Sequence, residues 1–194
     1  MHRQSGFLAA SLVTIAVAVA SQGTAFAAKP VMHLTAFAVD MSNLTDRART
    51  GTVDIVINRW SSDQERDTLR AALREGGTDV LLRALQKIKE PAGYIRSTGS
   101  VGYPLRFARE IQGSDGGRRI IVATDRYVSF LEATTQPRTI DYPFMLIDIR
   151  LDANGKGQGK LMPLAKVTES EDHVVEIENY ASEPVRLNEV RELK

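Results

Sequence analysis

Short runs in which apolar and polar residues alternate constrain this chain more than any other feature. Over residues 142–151, Met145, Ile147, Ile149 and Leu151 share one parity while Asp148 and Arg150 hold the other. Over residues 52–60, Val53, Ile55 and Ile57 alternate with Asp54 and Asn58. Successive side chains of an extended strand point to opposite faces, so a period of two rich in β-branched residues predicts strands with one buried and one wet face. Looser versions recur over 31–39, 94–98, 103–111, 119–123, 161–167, 174–179 and 185–190. The string Ser114-Asp115-Gly116-Gly117 supplies a hairpin turn, and residues 152–159 are polar and glycine-rich enough to read as a connection. The last three runs are short and evenly spaced, which predicts an antiparallel meander closing a sandwich or an open barrel.

Residues 62–90 depart from this pattern. Ser62 and Glu65 have the spacing of a capping box, in which the serine oxygen accepts from the amide three residues on and the glutamate reaches back. Leu69, Ala72 and Leu73 then fall on one helical face, and Gly76-Gly77 offers a left-handed stop. Thr78 can cap a second helix carrying Leu81, Leu85 and Ile88 before Pro91 and Gly93 end it. The expected fold class is therefore α+β: a mostly antiparallel β-sheet, sandwich or open barrel, with a two-helix hairpin inserted after the second strand.

The N-terminus predicts the compartment. A basic start at His2-Arg3, an apolar run over 7–20 and Ala25-Phe26-Ala27 are the three parts of a secretory signal, with cleavage expected between Ala27 and Ala28. The run is too short for the ~20 apolar residues of a spanning helix. Without cysteine, no lipidated cysteine can tether the product. Removing 27 of the 194 residues leaves 167 as a single β-rich domain, 28–194. At that size about 70% of the unfolded chain's surface is buried, so a core forms without disulfide staples. Twenty-five Lys and Arg, one of them Arg3 in the leader, face 24 Asp and Glu, so the mature chain is neutral. That balance argues against nucleic-acid partners and a polybasic membrane surface.

Three strings carry a resemblance: Val53-Asp54-Ile55-Val56-Ile57-Asn58-Arg59-Trp60-Ser61, Gly117-Arg118-Arg119-Ile120-Ile121-Val122-Ala123-Thr124-Asp125-Arg126, and Ile177-Glu178-Asn179-Tyr180. They resemble strings of an uncharacterised family of small secreted bacterial proteins. The likeness spans nearly the whole mature chain and implies a secreted single domain without implying an activity.

Known catalytic and cofactor motifs fit poorly. The mature chain has two histidines, His33 and His173, and no cysteine, which leaves no local zinc motif. The string from Asp152 through Asn154 and Lys156 to Gly157 begins like a calcium loop, but it puts a lysine at a ligand position and Pro163 where the bidentate glutamate belongs. Gly155-Lys156-Gly157-Gln158-Gly159-Lys160 lacks the serine or threonine that must follow a phosphate-loop lysine and runs into a strand, so no cofactor is expected. Gly99-Ser100-Val101-Gly102 misses the nucleophile elbow by one residue.

The segment between Asp125 and Phe144 is harder to explain as scaffold. It holds Arg126, Tyr127, Phe130, Arg138 and Tyr142, the residue types that dominate binding hot spots, on a long connection of the kind that carries function. A second candidate is Thr98-Gly99-Ser100-Val101-Gly102-Tyr103, whose glycines permit close approach of a ligand. The expected function is a non-enzymatic, periplasmic or secreted binding or interaction module of the cell envelope, with a small ligand or envelope protein as partner. The alternative is a small extracytoplasmic hydrolase drawing on His173, Arg126 and Asp125.

Overall fold

The computed structural model describes residues 29–42, 47–125, 141–172 and 174–193. The alternating runs become strands, in the order β1 (Met32–Asp40), β2 (Arg49–Ile57), β3 (Gly93–Ser97), β4 (Tyr103–Leu105), β5 (Phe107–Gln112), β6 (Arg118–Thr124), β7 (Phe144–Leu151), β8 (Lys156–Glu169), β9 (Val175–Asn179) and β10 (Val185–Glu192). The helix α1 (Asp63–Gln86) lies between β2 and β3.

All the pairings are antiparallel, and the strands form the row β4-β3-β2-β1-β10-β8-β7-β6-β5, with β9 added to β8. The two ends of that row are consecutive pieces of chain. Only Arg106 separates β4 from β5, and its N–H donates to the carbonyl of Ala123 at 2.9 Å. The sheet therefore curls into a nearly closed barrel of eight staves, counting β4 and β5 as one and leaving β9 outside. Where the sequence predicts a sandwich or an open barrel, the barrel that forms is instead nearly closed.

At eight strands a barrel interior is just wide enough for side chains to fill. Here Leu34, Ile55, Leu105, Ile120, Ile147 and Leu187 meet inside it with essentially no exposure. The outer face carries Arg119, Asp148, Arg150, Lys160 and Arg186, the reverse of a lipid-spanning barrel with its apolar outer band. Among the described residues no helix is long and apolar enough to cross a membrane.

Two sequence expectations need correction. First, a two-helix hairpin after β2 does not form; the segment is one helical element, interrupted where Gly76 (φ −160°, ψ 29°) and Gly77 (φ 64°, ψ −149°) leave helical geometry. Leu69 and Leu73 before the break and Leu85 after it join one cluster with Phe144, Leu146 and Val167 on the outer barrel wall. Thr78 does not cap a second helix: its hydroxyl donates to the Val167 carbonyl at 2.9 Å and ties the break to β8. The Ser62 and Glu65 capping box forms as expected, with Glu65 N–H donating to Ser62 Oγ at 3.1 Å and Ser62 N–H to the Glu65 carboxylate at 2.9 Å. Second, residues 152–159 are not all connection. Only the turn before Lys156 is, and Asp152 holds it by accepting the N–H groups of Asn154 and Lys156.

Polar links close the helical insertion and tie it to β8. The guanidinium of Arg59 clasps Glu65 through two bonds of 2.9 Å and also donates to the Glu90 carbonyl, joining the two ends of the insertion. Arg106 donates to the Ile88 carbonyl and pairs with Asp125 at 3.3 Å, while Arg74 pairs with Glu169 at 3.0 Å. Strand β8 bends beneath the helix at a bulge, where Met162 opposes Leu146 but Ala165, not Leu164, opposes Phe144. Pro163, which has no N–H for the ladder, sits inside that bulge. The extra residue keeps Met162, Ala165 and Val167 all on the helix side.

Another bulge, between Leu187 and Val190 of β10, holds Glu189 at φ 48°. A left-handed conformation costs a residue with a Cβ about 1–2 kcal/mol. The exposed ion pair of Glu189 with Arg191, at 2.9 Å, returns little of that. Glu189→Gly is expected to raise the thermal midpoint by about 3 °C, measured by circular dichroism; an unchanged or lower midpoint would mean that the left-handed turn stores no strain.

Candidate functional site

The barrel wall under α1 is apolar on both faces, which is unusual for an outer strand surface. On β7, Phe144 and Leu146 point outward opposite the inward set of Met145 and Ile147, and both are buried. On β6, Ile121 and Ala123 also point outward, Ala123 buried and Ile121 half-buried. A sheet face of this kind needs a cover, and α1 supplies it incompletely.

The helix and the wall leave a groove of about 260 Å³. Ile121 and Leu146 form its floor, Leu69 and Leu73 one side, and Val175 and Ile177 of β9 the other. Val175 and Ile177 are exposed, at 43% and 49%, so the groove opens to solvent along an apolar lip. Charge gathers only at its mouth, where Arg66, Arg70, Arg119 and Asp148 stand.

Those four groups are not equivalent. Arg66 is held by Asp63 at 3.3 Å and Asp67 at 2.8 Å. Arg119 grips Asp148 in a two-pronged bond of 2.9 and 2.8 Å, and that carboxylate raises the already high pKa of the guanidinium. Arg70 is exposed and has no acidic partner among the described residues.

Comparison with known protein families, curated proteins and solved structures finds no match to this chain. The site therefore rests on its geometry alone.

Of the residues expected to bind, Arg126, Tyr127, Phe130 and Arg138 lie outside the described residues. Tyr142 is described. Its ring packs on Tyr180 with centroids 5.1 Å apart, beside buried Leu164 and Ala181. Its hydroxyl donates to Glu178, and that carboxylate holds its pKa above the ordinary phenol value. Tyr142 thus packs between the start of β7 and the end of β9, away from the groove lining.

The 98–103 stretch is the β3–β4 turn and the first residue of β4, with Gly99 at φ 81° and Gly102 at φ 90°. Ser100 bonds both the N–H and the carbonyl of Ser97 at 3.0 Å, so its hydroxyl serves the turn. Among the hydrolase candidates, His173 and Arg126 lie outside the described residues, and Asp125 is engaged by Arg106. Among the described residues no group of three or more histidines and carboxylates is placed to hold a metal ion.

The groove itself was missed from sequence, although it left a signal. Ile120-Ile121-Val122-Ala123 and Phe144-Met145-Leu146-Ile147 are continuous apolar runs inside strands that otherwise alternate. Continuous runs mark strands buried on both faces. The outward members of these two runs are the floor of the groove.

Proposed function

We propose that the protein is a non-enzymatic, extracytoplasmic binding module that seats one acyl chain of an anionic amphiphile between α1 and the barrel wall. The observation that carries this reading is the division of the site: an apolar groove with its charge confined to the mouth, where Arg66 and Arg119 are paired with aspartates and Arg70 has no acidic partner among the described residues. Its volume, about 260 Å³, lies just under the range of about 300–1,000 Å³ typical of drug-sized ligand pockets. A single flexible chain suits that space better than a ring system. Among the described residues, apolar side chains pack the barrel interior.

The magnitude is testable. Six methylenes taken from water at about 0.8 kcal/mol each contribute about 5 kcal/mol, so a sub-millimolar dissociation constant is the upper bound on tail affinity before the cost of association is subtracted. Octyl glucoside and octyl phosphate, titrated calorimetrically below their micelle-forming concentrations, are expected to bind one per chain. Ile121→Trp fills the floor of the groove from a half-buried position and is expected to weaken both at least tenfold while the circular dichroism spectrum stays that of the parent. Binding of both probes that is indifferent to this substitution would exclude the groove as the site.

A further inference from the structure

The outer face of the barrel just beyond the groove is arranged against its own stability. Antiparallel pairing sets Arg119 of β6 directly opposite Arg150 of β7, and Lys160 of β8 directly opposite Arg186 of β10. Like charges in directly opposed positions destabilise a sheet, and cross-strand neighbours of opposite sign would be the ordinary choice. Two acids answer part of this charge. Asp148 is taken up by both prongs of Arg119, although it also lies opposite Lys160 in the ladder, and Glu183 pairs with Arg186 at 3.2 Å. Arg150 and Lys160 are exposed and have no acidic partner among the described residues.

Arg150, Lys160 and Arg186, together with the carboxylates of Asp148 and Glu183, line a concavity of about 600 Å³ on β7, β8 and β10, where Gln158 and Asn188 add amide groups. Asp148 borders both this concavity and the apolar groove. Along β7 the outward positions run Phe144, Leu146, Asp148, Arg150, so the wall passes from groove floor to cationic face within one strand. At about 3.3 Å per residue, Leu146 and Arg150 are about 13 Å apart. That separation is on the scale of an extended medium-length alkyl chain.

We infer that this face is the head-group site of the amphiphile and that the head is a dianionic phosphate ester, held by Arg150 and Lys160 with Arg186 at the side. The assignment rests on the reading of the groove as the tail site. Two unanswered cations flanked by a third favour a group carrying two charges on several oxygens. Arginine and lysine both suit phosphate, the first through its planar fork and the second as a point charge. The amides of Gln158 and Asn188 have N–H groups for the remaining oxygens. A charge arrangement that weakens the empty protein is accounted for when a ligand supplies the opposite sign.

The test compares octyl phosphate, octyl glucoside and inorganic phosphate on the parent, on Arg150→Gln/Lys160→Gln and on Ile121→Trp. Both head-site positions are exposed, and removing like charge should leave the melting temperature of the double variant at or above that of the parent. Octyl phosphate is expected to bind the parent at least tenfold more tightly than octyl glucoside. The double variant should lose that advantage while octyl glucoside binding stays the same. Equal affinity of the two octyl probes for the parent, or an advantage that survives in the double variant, would overturn the head-group assignment and leave the groove reading standing. Octyl phosphate binding that ignores Ile121→Trp while octyl glucoside binding is lost would detach the head from the groove and overturn the inference. Inorganic phosphate binding as tightly as octyl phosphate would assign the face to free phosphate instead. Failure of both octyl probes to bind the parent would refute tail and head sites together.

Discussion

Gly157→Val is expected to leave the chain without a cooperatively folded barrel. Gly157 lies in β8 between Leu151 of β7 and Val190 of β10. A Cβ at this position would stand 1.8 Å from the Arg150 carbonyl oxygen and 2.8 Å from its carbonyl carbon. The obstacle is backbone, paired on its other side with β6, so no rotamer change relieves it. Either β7 and β8 separate and surrender ladder hydrogen bonds worth about 1 kcal/mol each, or the whole wall shifts. Overpacking a core typically costs about 1–3 kcal/mol and more where backbone must move, against a total stability of about 5–15 kcal/mol for a native protein. Circular dichroism melting and urea denaturation should show a lost or strongly shifted transition. Gly51→Ala is the matched control, since nothing lies within 4 Å of the Cβ it would add. It should be neutral or slightly stabilising through the unfolded chain. A Gly157→Val protein melting within a few degrees of the parent would mean that β8 does not run where this barrel requires it.

The same glycine shows where sequence reading stops. A run such as Gly155-Lys156-Gly157-Gln158-Gly159 carries no β propensity, and local rules assign it to a loop. From Lys156 on it becomes a strand because it pairs with β7 on one side and β10 on the other, and glycine is required at 157 because β7 passes too close for a side chain, facts of tertiary geometry. Barrel closure was hidden for a similar reason. It turns on Arg106, one residue between two short strands that pair with different neighbours, and no periodicity marks such a change of partner. Gly76-Gly77 was correctly read as a break in the helix but not as a break without a reversal. That outcome depends on Leu69, Leu73 and Leu85 finding one common surface. What local chemistry decides was legible: the Ser62 and Glu65 box, the turn at Asp115-Gly116, and the inward set Met145, Ile147, Ile149 and Leu151. The groove was half legible, as apolar residues at outward positions, but its mouth was not, because Arg70 of the helix and Arg119 of β6 meet only through the fold.

Leu73→Asp is expected to undock α1 while the barrel persists, and to abolish binding of octyl probes. The two apolar clusters are built separately: the barrel interior draws on β-strand residues, whereas Leu73, at 5% exposure, faces Phe144 and Leu146 on the outer wall. The substitution removes about 2–3 kcal/mol of burial and puts a carboxylate among apolar neighbours. The opening free energy of the helix should fall by at least about 3 kcal/mol, which is more than a hundredfold in amide exchange rate. Exchange followed by mass spectrometry should place that loss in peptides of α1 and of the β6–β8 wall it covers, with β1, β2 and β10 still protected. Uniform loss across all strands would mean that helix and barrel open as one unit, which rules out a separately docked helix. The distinction bears on function because the groove is bounded on one side by the helix and on the other by the barrel. A ligand bound there touches both and stabilises docking by RT ln(1 + [L]/Kd), about 2.7 kcal/mol at a hundredfold excess over Kd. In the parent protein, octyl phosphate should therefore slow exchange in α1 more than in β1 or β2. Slowing spread evenly over the barrel would place the ligand elsewhere.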